Sequence, residues 1–255
     1  MKILVLVKQV PDTATRIRIN AEGNGIVTDG IKWVINPYDE FAIEEALRVR
    51  EKFGGEVVAV AVGPARVEEA IRQTLAMGAD RAVHVKVDDD LDSAQAAHAL
   101  AAAARDEGFD LIFSGKQAVD DDAAQVGPRV AVELGIPQIT VVLKLDVDAS
   151  AQRVRVEREL EGATELVESP MPVLLTAQRG LNEPRYPTLP NIMKAKKKPV
   201  AVKTLEDLDA VMVPQMRIES LSLPPERPAA RILEGDPQDA ARELVRLLHE
   251  EAKVL

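Results

Sequence analysis

The sequence predicts an α/β fold built on a doubly wound, mostly parallel sheet, with an added antiparallel hairpin and an extended C-terminal arm. Three observations lead there. Continuous apolar, β-branched runs recur through the first 140 residues, as in strands covered on both faces. Between them lie segments with helical apolar spacing, opened by Asp, Asn or Pro and closed by Gly. After about residue 150 the pattern changes to period-two alternation interrupted by a turn.

Each element follows in order. Residues 3–7 (ILVLV) make a first buried strand, and a polar, hairpin-like excursion is expected near Asn24-Gly25. Asn36 then caps a helix with Pro37 in its first turn, Asp39 and Glu40 at the positive end of its dipole, Ile43, Ala46 and Leu47 on one face, and Gly54 as its stop. Residues 56–63 (EVVAVAVG) read as a parallel strand. Pro64 lies near the start of the next helix, whose stripe is Val67, Ala70, Ile71, Thr74 and Leu75 and whose stop is Gly78. RAVHVKV is a strand, the alanine-rich run to Gly108 a helix, and FDLIFSG another buried strand. Repeated strand–helix units imply right-handed parallel crossovers. RVRVEREL and ATELVES, joined at Glu161-Gly162, form the hairpin, and PVLLTA is one more buried strand. The stretch 199–235 has too little apolar periodicity to fold alone and is expected to wrap over another surface. The final helix is capped by Asp236, begins at Pro237, and carries Ala241, Leu244, Val245 and Leu248 as a stripe.

Composition removes whole classes of function. With 46% apolar residues among 255, the chain can bury a substantial core, and a net charge of −10 repels a phosphate backbone, so no nucleic-acid role is expected. Cysteine is absent, which excludes disulfide scaffolds, thiolate metal sites and cysteine nucleophiles. The first apolar run is shorter than a signal-peptide core, and no stretch approaches the ~20 apolar residues of a membrane-spanning helix. A cytoplasmic location without membrane insertion is the expectation.

In an open parallel sheet, ligands bind beyond the carboxyl ends of the strands, where strand order reverses. Four segments arrive there: Val7, Lys8 and Gln9; Asn36, Pro37, Tyr38 and Asp39; Val62, Gly63 and Pro64; and SGKQAVDDDAAQVGP, 114–128. In the last, Gly115 permits close backbone approach, and a helix starting near Asp121 to Gln125 offers unpaired N–H groups to a phosphate. A mononucleotide suits that arrangement. The same Asp-rich loop equally reads as helix caps, since it is neither a Walker loop nor a GxGxxG fingerprint. Asp120, Asp121 and Asp122 are a thin magnesium candidate, because consecutive residues on one turn point apart. Asp88 to Asp90 read as a solvated loop. His84, His98 and His249 have no ligand spacing, and no catalytic triad, zinc site or paired-acid site is visible.

The segment LNEPRYPTLPNIMKAKKKP, beginning at Leu181, is too broken by proline for a core helix and too apolar for an idle linker. Leu181, Leu189, Ile192 and Met193 are followed by four lysines within five positions. A solvated charge run is the plain reading; an apolar anchor with a charged rim is the anatomy of a partner interface. Tyr186 and Trp33 can anchor, stack or simply pack.

The strings VKQVPDT, VTDGIKWVINPYDEFAIEEALRV, VGPARVEEAIRQTLAMGADRAVHV, SGKQAVDDDAAQ and LNEPRYPTLPNIMKAKKKP together resemble the electron-transfer flavoprotein β-subunit family over almost the whole chain. The resemblance implies a flavodoxin-like or adenine-nucleotide-binding α/β domain holding a structural AMP. Its contacts would be Leu6, Lys8 and Gln9; Asn36, Pro37, Tyr38 and Asp39; Val62 and Gly63; and Gly115, Lys116, Gln117, Ala118, Val119, Asp120, Asp121, Asp122, Ala123, Ala124, Gln125 and Val126. It further implies an FAD held mainly by an α subunit, with no catalytic site on this chain. A recognition loop at 179–198 would dock acyl-CoA dehydrogenases and other flavoprotein dehydrogenases, whose electrons pass on to a quinone oxidoreductase. Leu189 matches the anchoring leucine and Glu159 an acidic residue tied to docking, with Leu181, Tyr186, Pro190, Ile192, Met193 and Lys194 around them. On this reading 1–198 is the nucleotide-binding domain and 199–255 an arm and helix on the α subunit.

One departure bears on the cofactor. An electron-bifurcating branch with a second FAD in place of AMP resembles DGDTAQVGP where this chain has DDDAAQVGP. The chain keeps AQVGP but lacks that glycine and threonine, which favours AMP. A nucleotide-using enzyme and a free nucleotide sensor are the remaining alternatives: the first has only Lys116 and three aspartates for phosphate handling, and the second leaves 181–198 without a purpose.

Overall fold

The computed structural model describes residues 1–89, 91–225 and 230–255, so Asp90 of the expected acidic loop and 226–229 of the expected arm lie outside the described residues. In chain order the elements are β1 (Lys2–Leu6), β2 (Gln9–Pro11), β3 (Trp33–Ile35), α1 (Pro37–Phe53), β4 (Glu56–Gly63), α2 (Val67–Met77), β5 (Arg81–Lys86), α3 (Ser93–Glu107), β6 (Leu111–Gly115) and α4 (Val126–Leu134). They continue with β7 (Gln138–Asp148), β8 (Arg153–Leu160), β9 (Ala163–Pro170), β10 (Val173–Ala177), α5 (Leu189–Ala195), β11 (Val200–Lys203) and α6 (Pro237–Glu250).

The large sheet has the order β11-β5-β4-β1-β6-β10-β7-β8-β9, and β2 pairs antiparallel with β3 in a small separate sheet. From β11 to β7 every pairing is parallel, whereas β7-β8 and β8-β9 are antiparallel. The chain leaves β1 toward β4 and β5, then crosses back to place β6 on β1's other side. Strand order therefore reverses between β1 and β6, which is where the sheet rule locates a ligand crevice. The α/β, doubly wound prediction stands.

Alternation along the buried strands divides the core in two. Ile3, Val5, Val57, Ala59 and Phe113 pack with Ile43 and Leu47 of α1 and Ile71 and Leu75 of α2. Leu4, Leu6, Val58, Val60 and Ile112 pack with Leu100 and Ala101 of α3 and Val130 and Ala131 of α4 on the opposite face.

Local chemistry explains most boundaries. Asp92 and Gln95 close a capping box at the start of α3, and Gly54 ends α1 with φ 75°, a conformation that favours glycine. The helix expected to start near Asp121 to Gln125 begins at Val126 with Gln125 at its N-cap, the late end of that range, because Asp122 and Ala124 sit at φ 49° and 51°, left-handed conformations that keep the preceding turn out of a right-handed helix. Two elements differ from the sequence expectation. β7 has no single period in the sequence because its first half lies beside β10 while its second half extends into the hairpin with β8. The register shifts against β10 between Ile139 and Val142, the interval that holds Val141 with its φ of 62°, unusual for a β-branched residue, and again against β8 between Val142 and Lys144. Finally, 200–203 supplies β11, an edge strand parallel to β5.

By contact density the chain forms two compact units, Met1–Arg18 with Ile26–Ile218, and Ile19–Gly25 with Glu219–Leu255. In the second, Asn20 Oδ1 accepts the Asn24 and Gly25 N–H groups at the expected turn. Asp236 caps α6 through the N–H groups of Gln238 and Asp239, as its sequence predicts, and none of the helix's residues is buried.

Candidate functional site

Asp39 organises the crevice. Its Oδ2 accepts the Lys8 N–H at the end of β1 (2.7 Å), and its Oδ1 accepts the Gly115 N–H at the end of β6 (3.0 Å) and Asn36 Nδ2 (2.8 Å). One carboxyl thus ties together the two strands that flank the reversal. It is only 4% exposed. Burial pushes its pKa up to about 7, against the pull of the Lys8, Asn36 and Gly115 donors. Gly115 must be glycine for this approach, since an added Cβ would lie 2.4 Å from Asp39 Oδ1 and 2.7 Å from Tyr38 Cβ.

Asn36 holds the N-cap position of α1 but makes no side-chain cap. Its Nδ2 also donates to Gln117 O (2.8 Å) and its Oδ1 accepts the Val119 N–H (3.2 Å), so the residue expected to cap a helix instead fastens the loop after β6. Lys8 Nζ reaches Asp120 (2.8 Å) and Asp121 (3.1 Å) from the end of β1. The aspartates therefore neither cap α4 nor gather for a cation: Asp121 Oδ1 accepts the Ala123 N–H and Asp122 accepts Gln117 Nε2, and no group of metal-ligand type occurs among the described residues. Lys116 lies over the Tyr38 ring, 5.1 Å from its centre.

The remaining predicted positions divide. Pro37 opens α1, Ala118 O accepts the Asp122 N–H, Ala123 and Ala124 are exposed in the same loop, Gln125 precedes α4, and Val126 is its first residue. Leu6 turns its side chain into the α3–α4 core. Val62 and Gly63 end β4. There Gly63 O meets His84 Nε2 at 2.9 Å. Gln9 pairs with Arg66, whose guanidinium lies 3.8 Å from the centre of the Trp33 ring on the small sheet.

Ser114 was not singled out by sequence, yet its Oγ is buried without a hydrogen-bond partner. It stands beside the first turn of α4, where a Cβ added to Gly127 would come within 2.8 Å of it. An unpaired buried hydroxyl costs free energy unless something meets it. The sequence signal available for it is the SG pair closing a buried strand.

The second predicted site lies at 181–198. Tyr186, Leu189 and Met193 are 93%, 79% and 71% exposed, with Ile192 and Pro190 also at the surface. Thr188 starts α5 by accepting the Asn191 N–H. Leu181 instead packs against the core, and Glu159 accepts Gln178 Nε2 (2.6 Å) at the edge of the hairpin. Lys194, Lys196 and Lys197 are exposed, whereas Lys198 turns inward, its Nζ donating to Leu75 O (3.0 Å) and Ala79 O beside the end of α2.

Comparison with known proteins gives the family. Residues 24–208 match the family model described as the electron transfer flavoprotein domain. The chain is 44% identical to "Electron transfer flavoprotein subunit beta" of Bacillus subtilis (strain 168), with all of both chains covered. It is 44% identical to the protein of that name from Homo sapiens over 90% of this chain and 91% of the human one. Against "Electron transfer flavoprotein subunit beta, mitochondrial" of Arabidopsis thaliana it is 40% identical, again over the whole of both.

Proposed function

The chain belongs to the electron transfer flavoprotein family, among relatives named subunit beta, and on that premise we propose that it is the β subunit of a heterodimeric electron carrier. It binds a structural AMP in the β1–β6 crevice, helps enclose an FAD held mainly by an α subunit, and docks flavoprotein dehydrogenases such as acyl-CoA dehydrogenases through the face around Leu189. Electrons then leave toward a quinone oxidoreductase, and this chain turns over no substrate of its own.

The observation that carries the nucleotide reading is the orphaned Ser114 hydroxyl beside α4's first turn, at the reversal of strand order. A helix start with free N–H groups and a neighbouring hydroxyl suit a phosphate, and the carboxylates of Asp120 and Asp121 suit hydroxyl donors of a ribose. Asp39 already occupies the N–H groups of Lys8 and Gly115, which leaves the α4 end as the anion-accepting side of the crevice. FAD, when bound in the complex, supplies the electron-transfer chemistry. This chain's part is to cover it, hold the nucleotide and present a docking face. An exposed apolar anchor ringed by cations fits an encounter that must form quickly and dissolve quickly. The stripe of α6, including exposed Leu244 and Val245, is assigned to contact with the α subunit.

The test is to purify the complex with the α subunit, denature it and identify the released nucleotides by mass. One FAD and one AMP per heterodimer is the expected result. Two FAD would transfer the chain to the bifurcating branch, and no nucleotide would remove the crevice from the reading.

A further inference from the structure

The stretch between Gln178 and Thr188 has no helix or strand of its own, yet it is fastened to α1 at two points. Arg185 spreads its guanidinium between two carboxylates: Nε and Nη2 donate to the two oxygens of Glu44 (2.7 and 3.0 Å), and Nη1 and Nη2 to those of Glu51 (2.5 and 3.1 Å). The Arg185 backbone N–H also reaches Glu44 (3.2 Å). Three residues earlier, Asn182 Nδ2 donates to Phe41 O and to Glu45. Beyond the loop, Arg72 of α2 takes the carbonyls of Ala195 and Lys198, holding the far end of α5. Tyr186 and Leu189 project between these two anchorages.

The geometry points to Arg185 as a positioning residue, clamping 181–188 to α1 so that Tyr186 and Leu189 are held out in the arrangement docking requires. It rests on the docking reading above. An apolar side chain standing in water does not order itself; without the clamp the loop must be ordered at each encounter, which weakens binding and leaves the electron-transfer step of the bound pair alone. A guanidinium meets each of the two carboxylates through a pair of N–H groups, because its planar fork presents parallel donors, whereas an ammonium can give each carboxylate only a single bond. Glu44 is buried, which pushes its carboxyl up, but the bonds from Arg185 and Arg48 outweigh that and hold it below the usual range, so the clamp is ionised throughout neutral pH.

The experiment uses the flavin-loaded complex with R185Q, R185K, E51Q and L189A, each first checked for flavin content. Reduction by a flavoprotein acyl-CoA dehydrogenase gives KM and kcat, and amide exchange across 181–198 reports the loop. R185Q and R185K should raise KM about tenfold, the effect of losing a charge-assisted hydrogen bond or two, with kcat unchanged and exchange faster at 182–189. E51Q, removing the exposed half of the clamp, should raise KM less. If L189A raises KM while the Arg185 variants alter neither KM nor exchange, the clamp is overturned and docking survives. If L189A leaves KM unchanged, the docking reading falls and takes this inference with it. Should R185Q not assemble, R185K and E51Q decide by the same measures.

Discussion

A single buried carboxyl, that of Asp39, sets the chemistry at the mouth of the crevice, and its protonation is measurable as stability. Its pKa rises from an ordinary 3.8 to about 7 on folding, so the unfolded chain gives up the proton first as pH increases. The contribution favours folding fully below about pH 4 and is lost between about pH 4 and 7. Urea unfolding at pH 5 and at pH 8 should therefore show a larger fall for the wild type than for Asp39→Asn; parallel behaviour would mean that Asp39 ionises as in an open chain. Gly115 permits this arrangement, and Gly115→Ala forces a Cβ to within 2.9 Å of the Asp39 backbone N as well as against its carboxyl. Overpacking of that kind costs about 2 kcal/mol, to be read as a lower urea midpoint for the variant. At this scale the sequence was legible in part. Asn36, Asp39 and Gly115 were all predicted at the site, but local propensity assigned Asn36 to a helix cap and Asp39 to the helix dipole. Their actual partners, Gln117, Val119 and Gly115, are some 80 positions away in the chain, and no local pattern encodes them.

Elements were legible where one period governed a whole segment. α1, α3, β4 and the β8-β9 hairpin carry caps, stops and alternation that name them directly. β7 mixes two periods because it changes partners along its length, and α4 starts at the late end of its expected range because Asp122 and Ala124 hold the preceding turn in left-handed conformations. The lysine run shows the same limit. Three of its members form a solvated rim, as composition implies, while Lys198 caps the end of α2 with a partly buried ammonium. Lys198→Ala removes two bonds from a charged donor and should cost about 1.5–3 kcal/mol, whereas Lys196→Ala, a surface change, should stay within about 0.5 kcal/mol. Thermal unfolding of the two variants side by side checks this, and equal midpoints would return Lys198 to the rim.

On the scale of the whole molecule, a chain of net charge −10 places exposed Lys194, Lys196 and Lys197 immediately beside the exposed apolar residues Leu189, Ile192 and Met193. The general field repels acidic macromolecules, while this patch attracts them, so on the proposed docking role approach at Leu189 is favoured over approach by other faces. Steering of that kind acts through solvent and must be screened. Between ionic strengths of about 0.01 M and about 1 M the Debye length shrinks from ~30 Å to ~3 Å, which spans the distance over which the patch can be felt. Dehydrogenase-driven reduction of the complex should then show KM rising severalfold with salt while kcat stays level. Replacing Lys194, Lys196 and Lys197 together by glutamine should flatten that dependence, and Leu189→Ala should raise KM at every salt concentration without changing its slope. A slope that persists in the triple variant would locate the attracting charge elsewhere on the complex, and an absent slope in the wild type would leave the apolar anchor to act alone.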